Sequence, residues 1–441
     1  MKKKLYIETY GCQMNVSDSE VVASVMENNE YELTDNEAMA DVIFVNTCSI
    51  RDNAEKRVLN RIQGFKHLKK KNPNLKVGIL GCMAERIKEK FFESEDVVDL
   101  VVGPDAYRKL PDILKDVEDG RKMASVVLSE EETYDDIEPV RLDKQGVSAF
   151  ISIMRGCNNF CAYCVVPYTR GRERSRDPQT IIEEAISLNK KSYKEITLLG
   201  QNVNSYLWKS GDESINFPGL LRKVAEAVPN IRIRFSTSHP KDISDELIET
   251  IANTKNICNS IHLPVQSGST NVLKKMHRGY TAEWYLDRIN KIKELIPNCG
   301  LSTDIIAGYS GETEEDHKQT LEMIKKVKYD FAFMFKYSER PDTLASKKYL
   351  DDVDEETKNR RLQEIISLQQ KNSLDNNKKD IGKVFEVLIE GVSKRSDTQF
   401  TGRTDENKVM VFEKAEAKKG EIVRVKAVNC TSATLIGEIV D

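Results

Sequence analysis

Apolar runs alternate with amphipathic stretches along the first third of the chain. Residues 5–10 (LYIETY), 41–46 (DVIFVN) and 76–80 (KVGIL) read as strands, and residues 53–71 as a helix between the second and third. Ser17-Asp18-Ser19-Glu20 has the spacing of a capping box, which predicts a helix from Ser17 through Met26. Strands separated by helices predict parallel pairing with right-handed crossovers. One more helix is expected between Gly103 and Gly146, followed by the acidic stretch 129–136 (SEEETYDD), whose polarity predicts a linker.

A second strand–helix series begins at Val147. Its strands are expected near 149–154, 195–199, 231–236, 260–264, 302–307 and 331–336, with helices between them that include 180–188 and 282–296. Six such units are too few for a closed eight-fold barrel and predict an open, partial one. A long polar helix over 354–377 follows. Beyond 378 the pattern changes to period two at 383–389, 408–412 and 421–426, with turn signals at Gly391, Gly402 and Gly420, which predicts a small all-β barrel of about five strands. The expected fold class is α/β: an N-terminal parallel α/β sheet domain over 1–128, a linker over 129–146, a partial (β/α)6 barrel over 147–376 and a C-terminal all-β barrel over 377–441. A length of 441 residues accommodates three domains.

Composition narrows this picture. The chain is 39% hydrophobic and 31% charged, which suits folded cores. No apolar run nears the ~20 residues of a membrane span. The start, MKKKLYIE, has no long apolar stretch after its lysines, so neither a secretory signal nor a membrane partner is expected, and the expected location is the cytoplasm. In a reducing compartment the nine cysteines point to metal ligation, catalysis or burial rather than disulfides. The net charge of -4 gives no whole-chain hint of a nucleic-acid partner.

Gly156-Cys157-Asn158-Asn159-Phe160-Cys161-Ala162-Tyr163-Cys164 follows the first barrel strand. Three thiolates on one tight loop can hold three irons of a [4Fe–4S] cluster and leave the fourth open for chemistry. The plainer readings are a zinc knuckle or three buried thiols; zinc would want a fourth ligand, and the next histidine downstream is His239. Cys12, Cys48 and Cys82 each directly follow a predicted strand. In an open parallel sheet those strand ends share one edge, where ligands bind, so the three thiols are expected to converge; buried structural cysteines are the alternative. Cys258, Cys299 and Cys430 lack such context and read as structural.

The spacing of the second cysteine group resembles the radical S-adenosylmethionine (SAM) signature, and the whole chain resembles the methylthiotransferase family of radical SAM enzymes. The stretches that carry this are YIETYGCQMN at 6–15, VPYTRGRE at 166–173, HLPVQSG at 262–268 and GRTDENK at 402–408, which are similar to the branch acting on isopentenylated tRNA. One departure is Gly308-Tyr309-Ser310-Gly311, where the family usually has Phe-Pro between the glycines. The resemblance implies an auxiliary cluster on Cys12, Cys48 and Cys82, a radical cluster on Cys157, Cys161 and Cys164, and an RNA-binding TRAM barrel at the C-terminus. It implies methylthiolation at C2 of N6-isopentenyladenosine 37 of tRNA, beside the anticodon. One SAM would methylate cluster-bound sulfur and a second would give the 5′-deoxyadenosyl radical. An electron donor such as flavodoxin or ferredoxin and a sulfur donor are implied partners, with the anticodon stem-loop as substrate.

Polar residues near barrel-strand ends are the expected SAM contacts: Gly200, Gln201, Asn202, Ser236, Ser238, Gln266, Arg278 and Asp304, with Arg278 suited to a carboxylate. Arg170, Arg172, Arg174 and Arg176 could meet RNA phosphates or form ion pairs with Glu173 and Asp177. The last 66 residues carry 12 Lys+Arg against 11 Asp+Glu, so charge alone does not mark the tail as an RNA site. Two rivals remain: a sibling methylthiotransferase acting on threonylcarbamoyladenosine or on a ribosomal-protein aspartate, and a non-catalytic cluster-carrying or RNA-binding protein.

Overall fold

A computed structural model describes residues 2–48, 52–88, 90–94, 96–143 and 145–440. The N-terminal strands β1 (Lys3–Tyr10), β2 (Tyr31–Leu33), β3 (Val42–Thr47), β4 (Lys76–Gly81), β5 (Leu100–Val102) and β6 (Met123–Ser125) form one parallel sheet in the order β2-β1-β3-β4-β5-β6. Strand alternation supplies its two cores. Val42 and Phe44 pack against Val22, Leu110 and Leu114 on one face, while Ile43 and Val45 pack against Val58, Ile62 and Phe65 on the other. Both faces are thus covered by helices, as a parallel sheet requires.

The first helix differs from its expected start. It spans Gln13–Glu27 with Cys12 at its N-cap, so Ser17 to Glu20 lie inside it and are all buried. Their polarity has another cause. Asp18 pairs with Arg155 and Arg170 of the second domain, and Glu20 with Arg141 of the connecting segment. A buried inter-domain polar stripe imitates a capping box in sequence.

The second domain contains β7 (Ser148–Ser152), a short β8–β9 pair (Met154–Arg155 and Arg174–Ser175), β10 (Glu195–Leu199), a β11–β12 hairpin (Leu207–Ser210 and Glu213–Asn216), β13 (Arg232–Ser236), β14 (Ser260–His262), β15 (Gly300–Ala307) and β16 (Phe331–Lys336). Parallel sheets β13-β10-β7 and β14-β15-β16 supply the six expected barrel strands, linked by a parallel bridge between Ile233 and Ile257. Helices Pro178–Lys190, Phe217–Ala227, Asp245–Asn253, Ala282–Leu295 and Glu314–Val327 cover the outside around one continuous apolar core. The long helix Glu355–Lys379 is capped by Asp354, which accepts from Thr357 N at 2.8 Å.

The tail forms a closed five-stranded barrel from β17 (Val384–Val392), β18 (Gln399–Arg403), β19 (Val409–Glu413), β20 (Ile422–Cys430) and β21 (Leu435–Ile439). Its β18–β19 turn docks under the partial barrel. Arg234 donates to the Asp405 carbonyl at 2.9 Å and the Thr404 carbonyl at 2.7 Å, and Arg232 to the Arg403 carbonyl at 3.1 Å. Asn259 N donates to Asp405 Oδ2 at 2.9 Å. A β-carbon on Gly300 would collide with the Glu406 carbonyl, so the backbones meet there only because residue 300 is glycine. These contacts lie at the amino-terminal ends of β13, β14 and β15, the floor opposite the cysteine loop.

The segment expected as a linker is strapped down. Tyr134 is buried, stacks on Tyr107 with centroids 5.8 Å apart and donates to the Pro104 carbonyl at 2.9 Å. Arg141 spans the domains, bonding Glu20 and Glu184 at 2.6 Å each. Among the described residues no helix is long and apolar enough to cross a membrane.

Candidate functional site

Sheet register brings the first three cysteines together. Tyr10 pairs with Thr47, and Thr47 with Gly81, so the three strands end in one row. Cys12, Cys48 and Cys82 follow that row by one or two residues. Gly11 has φ +134° and an added β-carbon would lie 2.5 Å from Cys48 Cβ, so glycine permits this approach. Behind the thiols, Asn15 and Asn46 form a buried amide pair: Asn15 Nδ2 donates to Asn46 Oδ1 at 3.1 Å, and Asn46 Nδ2 to Ser19 Oγ at 3.0 Å. Hydrogen bonding with Cys48 pulls the Cys12 thiol down to about 6, with the Arg170 guanidinium adding to the effect against burial. Burial holds the Cys82 thiol above its ordinary value, although Arg170 Nε donates to its sulfur at 3.1 Å.

The second triad sits on the loop after β8. Gly156 has φ +79°, and any side chain there would strike the Arg172 carbonyl. The loop is pinned by backbone bonds from Cys157 N to the Gly171 carbonyl at 3.1 Å and from Ala162 N to the Met276 carbonyl at 2.9 Å. Asn158 N adds a bond to Glu173 Oε1 at 3.0 Å. Burial pushes the Cys157 thiol up to about 11. It raises Cys164 further, with the negative charges of Cys161 and Cys157 adding to it. Three thiolates that repel one another in a buried loop are stabilised by a bound metal cation.

Among the described residues no three Cys, His, Asp or Glu side chains converge on a single ion-sized point. A four-iron cube does not require that, because each thiolate binds a different iron. His239 lies beside the second triad, with Nε2 3.8 Å from Cys161 Sγ. Its Nδ1 accepts from Lys241 N at 3.3 Å, so the neutral ring carries its proton on Nε2 and presents a donor to the sulfur. Burial, then Arg278, keeps that ring neutral. This arrangement disfavours the zinc reading, in which the same nitrogen would be the fourth ligand.

The expected SAM contacts divide into groups. Gln201 Oε1 accepts from Gly156 N at 2.5 Å, while its Nε2 is buried with no partner among the described residues. Asn204 Nδ2 is a second such donor; its Oδ1 accepts from Ser238 Oγ at 3.1 Å. Two orphaned donors at strand ends near the cysteine loop suit a polar ligand. Asn202 is engaged, donating to Asp242 at 2.7 Å and accepting from His239 N at 2.9 Å. Gly200 packs against Met154, 2.5 Å from where its β-carbon would stand, and its N–H donates to the Ser236 carbonyl at 3.1 Å. Gln266 has φ +70° and bridges Asp304 and Ile306 through its backbone. Asp304 is paired with His262 at 3.5 Å. Arg278 bonds Cys161 Sγ at 3.2 Å, the Pro264 carbonyl at 2.6 Å and Tyr280 OH at 3.0 Å. Its donors turn to the cysteine loop and its frame.

The arginine run is mostly buried. Arg170 bonds Asp18 at 2.7 Å, Arg174 bonds Asp105 at 3.0 Å and Arg176 bonds Glu184 at 2.5 Å. Arg155 completes the network on Asp18 at 2.9 Å. The partners are Asp18, Asp105 and Glu184 rather than Glu173 and Asp177, and two of them belong to the N-terminal domain. Arg172 alone turns outward, 4.4 Å over the Phe160 ring. Sequence spacing did not single out Arg170, His239 or Asn204 for these contacts, because each is made across the fold.

Comparison with known proteins agrees with this architecture. Residues 4–103 match the Uncharacterized protein family UPF0004, 151–324 the Radical SAM superfamily and 378–440 the TRAM domain. Among solved structures, the radical S-adenosylmethionine methyltransferase TsrM from Kitasatospora setae shares the fold with a TM-score of 0.55 at 13% identity, over 76% of this chain and 73% of that one. The cobalamin-dependent S-adenosylmethionine radical enzyme OxsB does so with a TM-score of 0.54 at 14% identity, over 83% of this chain and 56% of that one. The chain is 58% identical over 437 residues to tRNA-2-methylthio-N(6)-dimethylallyladenosine synthase of Phocaeicola vulgatus, covering 99% of this chain and 96% of the relative. The synthase of Porphyromonas gingivalis is 54% identical over 443 residues, covering 100% of this chain and 96% of the relative. The chain therefore belongs to the tRNA-2-methylthio-N(6)-dimethylallyladenosine synthase family and is an enzyme of the methylthiotransferase type, built on a radical SAM fold.

Proposed function

We propose that the protein adds a methylthio group to C2 of N6-dimethylallyladenosine at position 37 of tRNA, in the cytoplasm. The observation that carries this reading is that one group of three cysteines ends the sheet of the N-terminal domain, a second lies on the loop after β8, and Arg170, soon after that loop, reaches Cys82 of the first. Residues 157–176 touch both, through Cys157, Cys161 and Cys164 at one end and Arg170 on Cys82 further along. Each triad would hold a [4Fe–4S] cluster. When bound, SAM at the second triad supplies both the methyl group and, from a second molecule, the 5′-deoxyadenosyl radical, while a cluster at the first triad supplies the sulfur.

The chain's own residues supply position and charge. Gln201 Nε2 and Asn204 Nδ2 offer unmet donors to a SAM carboxylate or ribose, while Arg278 and His239 direct N–H groups at Cys161. The C2–H of adenine has no useful acidity, so no side chain is required as its base. The anticodon loop is the RNA element that would present the base, and reducing equivalents and replacement sulfur would come from separate partners.

Anaerobic reconstitution should give about eight irons per chain, from two four-iron clusters. Cys157→Ala/Cys161→Ala/Cys164→Ala should keep about four and lose SAM cleavage. Cys12→Ala/Cys48→Ala/Cys82→Ala should keep reductive SAM cleavage and form no methylthio product. Full iron content in the first variant, or product from the second, would overturn the assignment. Mass spectrometry of tRNA from a deletion strain separates this substrate from the threonylcarbamoyladenosine of a sibling enzyme.

A further inference from the structure

We propose that Arg170 is a positioning residue that tunes the N-terminal cluster from across the domain interface. This inference rests on the reading that Cys12, Cys48 and Cys82 hold a cluster. Arg170 belongs to the second domain, at the end of the short helix Val166–Thr169, which packs on the helix Cys82–Ile87. Its side chain is 3% exposed.

The three nitrogens have distinct situations. Nη2 is fixed by Asp18 Oδ2 at 2.7 Å, and Nε donates to Cys82 Sγ at 3.1 Å. Nη1 is buried without a hydrogen-bond partner among the described residues. Asp18 is itself held by Arg155 at 2.9 Å, so the carboxylate cannot swing away and the guanidinium plane is locked. A buried N–H without a partner is costly, and here it belongs to a cation already bonded to a ligand sulfur. A thiolate-ligated cluster offers the missing acceptors, being anionic and lined with sulfur.

Hydrogen bonds to cluster sulfurs and nearby positive charge stabilise the reduced, more negative state and raise the reduction potential. Arg170 therefore makes the N-terminal cluster easier to reduce than its three cysteines alone would. Because the guanidinium comes from the second domain, that setting exists only when the two domains are docked. Arg278 on Cys161 gives the second triad a donor from within its own domain, so the two clusters are tuned independently.

The test compares full-length protein with its Arg170→Met and Arg170→Lys variants, each reconstituted anaerobically and titrated by redox-poised EPR. The titration is repeated with Cys157, Cys161 and Cys164 changed to Ala, which isolates the N-terminal cluster. Arg170→Met should keep its iron and lower the reduced-to-oxidised ratio at fixed potential at least tenfold, a midpoint shift of about 59 mV for one electron. Arg170→Lys keeps the charge but loses the fork, and should shift part of the way. Asp18→Asn leaves Arg170 beside Cys82 and removes a negative charge that acts on the same thiol, so it should move the midpoint up rather than down. If Arg170→Met loses its iron, Arg170→Lys decides: a shifted midpoint supports the role, and an unshifted one overturns it. An intact cluster with an unmoved midpoint in Arg170→Met overturns the role of Arg170 alone. No iron in the isolating background overturns the cluster assignment and this role together.

Discussion

At the residue scale, buried charge governs this molecule. Burial works against the Asp18 carboxylate, but Arg155 and Arg170 outweigh it and hold its pKa below the ordinary value. Asp18→Ala would leave two buried guanidinium groups without their shared partner, and such a loss costs ~3–5 kcal/mol. Urea unfolding should show that loss as a lower midpoint. Glu85 is the reverse case. It is 3% exposed, one carboxylate oxygen has no partner among the described residues, and burial, with Asp105 adding to it, pushes its pKa up to about 7. An acid whose pKa is raised on folding binds more protons in the native state. Its contribution to stability is therefore greatest below about pH 4.5 and falls as pH rises through about 7. Glu85→Gln should remove that fall, gaining on the order of 2 kcal/mol over wild type at pH 8 and little at pH 5. Thermal melts at both pH values check the sign. Neither effect is legible in the sequence. Ser17-Asp18-Ser19-Glu20 reads as a helix start because local spacing carries no record of arginines more than a hundred residues away. The placing of Cys12, Cys48 and Cys82 at neighbouring strand ends and of Cys157, Cys161 and Cys164 on one loop was legible because strand ends and loop spacing are local. Arg278 was read as a SAM contact by its place near a strand end, whereas its donors are taken up by Cys161 and its surroundings.

At the element scale, the tail barrel is joined to the floor of the partial barrel through the turn at residues 403–406, with Glu386 on Arg232 and Lys408 on Asp330 beside it. Period-two alternation made the barrel itself legible, and the structure closes it with five strands as expected. Its docking was not legible, because it depends on Arg232 and Arg234 reaching backbone carbonyls that no side-chain pattern advertises. Gly300→Ala places a methyl group against the Glu406 carbonyl and should loosen this contact without touching either cysteine triad. Limited proteolysis should then release the tail near residue 380 at least several-fold faster than in the wild type, with the iron content unchanged. Equal cleavage rates would mean that other contacts hold the tail in place.

At the scale of the whole molecule, the tail has two possible uses, and one variant separates them. Truncation before Lys378 strips the carbonyl partners from Arg232 and Arg234 and exposes the barrel floor. The expected outcome is a lower melting temperature for the remaining chain together with strongly weakened tRNA binding in gel shifts at fixed salt. The tail is nearly neutral, so its share of binding should depend only weakly on salt. Lower stability with unchanged tRNA affinity would make the tail a packing element alone. The three-domain plan was legible from the change in hydrophobic period. The closeness of the first two domains was not, because the segment expected to separate them carries Tyr134 and Arg141 into the interface.

The reach of Arg170 also bears on how the protein is made. Cys82 leaves the ribosome 88 residues before Arg170, and Asp18 leaves 152 residues before it. Domains fold largely as units, the N-terminal one first during synthesis. For that interval the nascent first domain has its sheet and its row of thiols, but the carboxylate of Asp18 is uncovered and no cation faces the sulfurs. The contact from Arg170 Nε to Cys82 Sγ therefore cannot form until the second domain has been made and has docked. Chain order thus separates the making of the thiol row from the arrival of the cation that faces it.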